Sequence, residues 1–218
     1  MTSNTPIALV TGASSGIGEA TAKRLEQAGY KVYGTSRRGA TAAQGTIRML
    51  ALDVTDDTSV AAAVSELIRL EGRIDLLVNN AGIGIAPAGA EESSIEQAQA
   101  LFDTNFFGLV RMTRAVVPHM RRQGSGRIIN IGSILGVVPM PYIALYAASK
   151  HAVEGYSEAL DHELQQAGLH QWEPDLALEV LRLLHSCCEL LPQNHAVRER
   201  KDEVYRRLCH LDLEVVLD

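Results

Sequence analysis

The chain has 218 residues, 46% hydrophobic and 21% charged, which suits one α/β domain with a sizeable core and is short for two. The formal net charge of −6 argues against binding to a phosphate backbone, which needs clustered Lys and Arg, and no apolar run approaches the roughly 20 residues of a membrane helix. The opening Met1-Thr-Ser-Asn-Thr-Pro6 lacks the basic and apolar regions of a secretion signal, and the odd cysteine count (Cys187, Cys188, Cys209) fits a reducing compartment, so a cytoplasmic protein is expected.

In chain order, short apolar runs alternate with longer helical patterns. Ile7–Thr11, Lys31–Ser36, Arg48–Leu52, Ile74–Asn79 and Arg127–Ile131 read as buried strands bounded by Gly, Asp or Asn. Gly18–Ala28, Thr58–Leu70, Ile95–Gln123 and Tyr146–Gln166 carry helical periodicity between and after them. Connections of this length require parallel pairing, so the fold class expected is a doubly wound, Rossmann-type parallel sheet with helices on both faces. After Gly168 the rhythm changes. Leu176–Leu191 and Val197–Cys209 form helical patterns, and Leu211–Leu217 can close as a strand. The chain therefore divides into a nucleotide-binding domain, 1–168, and a mostly helical segment, 169–218. His185, Cys187, Cys188, His195, Cys209 and His210 lack Cys-x-x-Cys spacing, so buried thiols rather than a metal site are expected.

The first strand runs into Thr11-Gly-Ala-Ser-Ser-Gly-Ile-Gly18 and then a helix. Glycines there allow a tight turn and let backbone N–H groups approach a pyrophosphate at the helix N-terminus, so Gly12, Ser14, Ser15, Gly16, Ile17 and Gly18 are candidate cofactor contacts. The end of the next strand selects the cofactor. An acid there holds ribose hydroxyls, as for NAD; arginine holds a 2′-phosphate, as for NADP. Arg37 and Arg38 occupy that place, so NADP(H) is favoured and NAD(H) stays open. Asp53, followed by Val54, either accepts from an adenine amino group or forms an Asx turn. Asn79, Ala81 and Gly82 end the fourth strand at the carboxyl edge, where open parallel sheets bind ligands.

Ser133 follows the fifth strand at the same edge. Tyr146 and Lys150 are four apart on a helix and share one face. An ammonium beside a phenol favours the phenolate and makes it a useful acid–base, with Ser133 holding the substrate oxygen. Asn105 either anchors a water that extends the proton path from Lys150 or bends its helix.

Thr11–Gly18, Asp53, Asn79-Asn-Ala-Gly82, Asn105, Ser133 and Tyr146-Ala-Ala-Ser-Lys150 together resemble the short-chain dehydrogenase/reductases, in order and in spacing, over about residues 6–168. The resemblance implies a Rossmann fold, a catalytic Asn105–Ser133–Tyr146–Lys150 tetrad that interconverts alcohol and carbonyl, and cofactor contacts that include Tyr146 and Lys150. It also implies a homodimer through Ile95–Gln123 and Tyr146–Gln166. The apolar Ile134-Leu-Gly-Val-Val-Pro-Met-Pro141 loop resembles members acting on hydrophobic substrates. The departure comes after Gly168, where the family's next strand, Pro-Gly turn and nicotinamide-contacting Thr are missing. Two rival expectations follow: nucleotide binding with weak or absent turnover, and a tail that serves as a partner-binding or covering module.

Overall fold

The computed structural model describes residues 5–38, 46–138, 140–166 and 215–216. Strands β1 (Ile7–Val10), β2 (Lys31–Ser36), β3 (Arg48–Ala51), β4 (Leu76–Asn79), β5 (Arg127–Ile131) and β6 (Val215–Val216) form one sheet in the order β3-β2-β1-β4-β5-β6. Every pairing is parallel. Helices α1 (Gly16–Gln27), α2 (Asp57–Glu71), α3 (Ile95–Phe102), α4 (Gly108–Gln123) and α5 (Ala144–Gln166) complete the framework.

Successive strand residues point to opposite faces, so each strand feeds two cores. On one face Leu9, Tyr33 and Leu77 pack with Val60 and Leu67 of α2 and with Met112, Val116 and Met120 of α4. On the other, Ala8, Val10, Val32, Leu76, Val78 and Ile129 pack with Ala22 and Leu25 of α1. The chain leaves β1 towards β2 on one side and reaches β4 on the other. That reversal opens a crevice at the carboxyl ends of β1 and β4, where doubly wound sheets bind ligands.

Local chemistry fixes the helix ends. Asp56 Oδ1 accepts from Thr58 N at 2.8 Å and Ser59 N at 3.3 Å, capping α2, and Gly72 ends it in the left-handed conformation. Ser94 and Gln97 form a reciprocal capping box at the start of α3.

The expected single helix Ile95–Gln123 is interrupted. Asp103–Phe107 is a π-helical turn, in which Gly108 N reaches back five residues to Asp103 O. β4 is shorter than the expected Ile74–Asn79. Ile74 N donates to the Gln123 side chain at 2.9 Å rather than to a strand. The expected closing strand is observed at Val215–Val216, paired with Asn130 and Ile131. The expected helices Leu176–Leu191 and Val197–Cys209, with all three cysteines, lie outside the described residues.

Candidate active site

The phosphate-loop segment is pinned before it turns. Thr11 N donates to Val78 O and Ala13 N to Thr35 O, both at 2.9 Å, which fastens the end of β1 to β4 and β2. Thr11 Oγ1, fully buried, accepts from Asn80 N and Ala81 N, each at 2.9 Å. Asn80 Nδ2 returns to Thr11 O at 2.8 Å. Thus Asn80, within a tetrapeptide whose value the sequence assigns to Asn79, Ala81 and Gly82, is the residue that locks the loop after β4 to the loop after β1.

Gly12 and Gly16 have φ of +66° and +57°, values costly for any side chain with a Cβ. At Gly18 a Cβ would come within 2.4 Å of Gly12 O. The loop therefore folds back onto the first turn of α1. Ser15 caps α1 by position but makes no side-chain cap hydrogen bond, and a Cβ on Gly16 would meet only open space. The first N–H groups of α1 thus lie at an open, glycine-lined concavity, which fits a phosphate or pyrophosphate. Ser14 and Ser15 are exposed beside it.

From this loop a cleft of ≈ 500 Å³ runs to the start of α5, lined among others by Gly12, Gly18, Gly82, Asn105, Tyr146 and Lys150. Lys150 is only 8% exposed; its Nζ donates to Ile131 O at 2.9 Å and lies 5.8 Å from the centre of the Tyr146 ring. Ser133, two residues beyond Ile131, is buried, and its Oγ accepts from Leu135 N at 3.2 Å. The short 3₁₀ turn Ile134–Gly136 that follows presses on α5: a Cβ on Gly136 would lie 3.0 Å from Lys150 O and 3.1 Å from Glu154 Cγ. Gly136 therefore sets how closely the Ser133 segment approaches the Tyr146–Lys150 helix. No sequence signal singled it out.

Asn105 occupies the π-turn and is 4% exposed. Its Oδ1 accepts from Ile83 N at 2.8 Å and its Nδ2 donates to Ile83 O at 2.9 Å. Nδ2 also reaches Ser149 Oγ at 3.4 Å, and Ser149 Oγ donates to Tyr146 O at 2.8 Å. The side chain ties the loop after β4 to the turn of α5 that carries Tyr146. The helix departs from α geometry at this residue, which lines the cleft.

Asn79 is buried at the end of β4. Its Nδ2 donates to Asn130 Oδ1 at 2.9 Å across the β4–β5 register, and Asn130 Nδ2 donates to Ser157 Oγ at 2.8 Å. This buried polar ladder fastens the sheet to α5. Asp53 Oδ1 accepts from Thr55 N at 3.0 Å and Thr55 Oγ1 at 2.7 Å, an Asx turn. The Thr55 N–H, then its hydroxyl, with the charges of Arg37 and Arg111, hold the Asp53 carboxyl below its ordinary range. Arg37 and Arg38 are exposed at the end of β2, at the same edge as Asp53 and the buried Val54.

On α5, Glu154 follows Lys150 by one turn. Its buried Oε1 has no hydrogen-bond partner among the described residues. Burial, then the nearby Glu158, pushes this carboxyl up to about 7, against a smaller pull from Lys150. Ile83, Met140 and Tyr142 are exposed apolar side chains, and Ala88 N donates to Tyr142 O at 2.8 Å, joining the loop after β4 to the segment before α5.

With this geometry in view, the likenesses to known proteins are specific. The family model described as short chain dehydrogenase matches residues 6–170. The chain is 51% identical over 158 residues to 3-ketodihydrosphingosine reductase of Bacteroides thetaiotaomicron, covering 72% of this chain and 58% of that protein. It is 41% identical over 180 residues to human 17-beta-hydroxysteroid dehydrogenase type 1, covering 75% and 54% respectively. Among solved structures, a 3-ketoacyl-(acyl-carrier-protein) reductase from Brucella melitensis complexed with NADH superposes with a TM-score of 0.72 at 35% identity, over 76% of this chain and 72% of that one. ElxO with NADP bound gives 0.71 at 30% identity, over 76% and 70%. The chain belongs to the short-chain dehydrogenase family. It spans between half and two thirds of the length of the two curated relatives named here.

Proposed function

We propose that this chain carries the catalytic centre of an NADP(H)-dependent oxidoreductase that interconverts an apolar secondary alcohol and ketone, or an alcohol and aldehyde. One observation carries the proposal. A single cleft joins an uncapped, glycine-lined helix N-terminus to a Tyr146–Lys150 pair on one helix face. The nucleotide-binding unit is assigned to residues 1–168. Bound nicotinamide supplies the hydride chemistry.

The chain's own residues do the rest. The N–H groups of residues 16–18 hold the pyrophosphate, and Arg37 and Arg38 present cations to a 2′-phosphate at the end of β2. Ser133 keeps its hydroxyl hydrogen for the substrate oxygen while its Oγ accepts from Leu135 N. Tyr146 gives or takes the proton at that oxygen, and the Lys150 ammonium stabilises the phenolate. NADP-bound and NADH-bound neighbours support a nicotinamide cofactor. The choice of NADP(H) rests on Arg37 and Arg38. The apolar substrate class rests on Ile83, Met140 and Tyr142, and on relatives named for sphingoid and steroid carbonyl chemistry. Ile95 and Phe107, exposed on α3 and the π-turn, suit self-association through these helices and α5. No described helix is long and apolar enough to cross a membrane; support for the cytoplasm as its compartment comes from the odd cysteine count.

NADPH oxidation against a panel of apolar ketones tests the assignment. We expect Tyr146→Phe to lower kcat by about 10²-fold or more, the usual scale for losing a general acid, while NADPH still binds. NADPH binding without Tyr146-dependent turnover would select the second reading, a nucleotide-binding protein of weak activity.

A further inference from the structure

The geometry points to Arg111 as a positioning residue that holds the π-turn of Asn105 in register and joins it to the Val54 side of the cleft. The inference rests on the reading of Asn105, Tyr146 and Lys150 as the reacting centre.

A π-turn is rare, and its register needs local support. Here Asp103 O accepts from Gly108 N, five residues on. Arg111 Nη1 donates to this same carbonyl at 3.3 Å, and Arg111 Nη2 pairs with Asp103 Oδ1 at 2.8 Å. The guanidinium therefore grips both the backbone and the side chain of the residue that defines the turn. Its remaining contacts run the other way. Nη1 donates to Val54 O at 3.3 Å, and Nε pairs with Asp57 Oδ1 at 3.1 Å in the first turn of α2. Gly108 adds steric closeness, since a Cβ there would lie 2.7 Å from Val54 Cγ2.

The planar, five-donor guanidinium suits this place in a way an ammonium does not, because four acceptor groups converge from two directions. The Arg111 side chain is 22% exposed, so these bonds are only partly screened by water. On the far side, Asn105 grips Ile83 and Ser149, and Ser149 bonds Tyr146 O. A continuous set of contacts thus runs from Val54 and Asp57 through Arg111 to Asp103, Asn105 and the turn that carries Tyr146. Removing Arg111 leaves Asp103 O free to return to an α-helical partner. That shift would rotate Asn105 off Ile83.

The test uses the full chain with Arg111→Met, which keeps the aliphatic stem, Arg111→Lys, and Asp103→Asn, which removes the ion pair while leaving Arg111 in place. In cofactor-free protein, hydrogen exchange at the Gly108 and Ile83 amides should accelerate at least tenfold in Arg111→Met, with β1 and β4 amides still protected. Arg111→Lys should fall between wild type and Met, and Asp103→Asn should accelerate the same two amides. With NADPH and ketone, Arg111→Met should lower kcat about tenfold with little change in ketone KM. Unchanged exchange at Gly108 and Ile83 in both Arg111→Met and Asp103→Asn would overturn the proposal, as would acceleration spread evenly over the whole domain. A wild type without turnover would refute the oxidoreductase reading, and the exchange data would still decide the role of Arg111.

Discussion

Glu154 sets up a measurable conflict between stability and pH. Among the described residues its buried Oε1 has no partner, and it lies between Lys150 and Glu158 along α5 and against Gly136 of the 3₁₀ turn. Burial first, and then Glu158, moves the carboxyl from the ordinary 4.5 to about 7. A raised acid binds its proton more tightly in the folded state than in the unfolded one. Its contribution to stability is therefore complete below about 4.5 and is lost as pH rises through about 7. At about 1.4 kcal/mol per tenfold difference in proton affinity, the ionised group costs at most about 3 kcal/mol, and less where water reaches its second oxygen. Glu154→Gln keeps the shape and removes the titration. Urea unfolding of wild type and variant at pH 5, 6, 7 and 8 checks the reasoning. The variant's advantage should grow steadily across that window and level off above about pH 7. A constant difference at all four pH values would refute it.

Two other substitutions probe the site. Gly136→Ala puts a methyl 3.0 Å from Lys150 O and must push the Ser133 segment away from α5; overpacking of this kind costs about 1–3 kcal/mol. A fall in kcat that exceeds the change in NADPH affinity, measured by steady-state kinetics and fluorescence titration, is the expected outcome. Arg37→Ala removes a charge-assisted contact to a 2′-phosphate, worth about 1.5 kcal/mol or more, so NADPH affinity should fall about tenfold. NADH affinity should stay where it was; equal losses for both cofactors would show that Arg37 does not read the phosphate.

Much of the framework is legible in the residues because it is local. Ile7–Val10, Lys31–Ser36 and Arg127–Ile131 are apolar runs between turn residues, and the parallel sheet follows from the helices between them. The glycine loop is legible because its place between strand and helix restricts what it can do. What stayed hidden depends on distant approach. The π-turn inserts one extra residue into Ile95–Gln123, and the apolar pattern on either side still repeats at helical spacing. That Asn79 also bonds Asn130 across the sheet follows from the β4–β5 register, which no local pattern shows. Asn80, Gly136 and Arg111 act through partners 14 to 69 residues away along the chain, or across a helix junction, and no spacing rule reaches them. Their neighbours in sequence carried the recognisable pattern; they carry the geometry.

Transfer of deuterium from 4-deuterated NADPH to the carbonyl carbon of an apolar ketone, read by mass spectrometry of the alcohol, tests the central claim most directly. Wild type should deliver the label to that carbon, and Tyr146→Phe should bind the cofactor yet deliver about a hundredth as much or less in the same time. Bound NADPH with no label transferred, or equal transfer by Tyr146→Phe, would contradict the assignment of Tyr146 and Lys150 as the reacting pair.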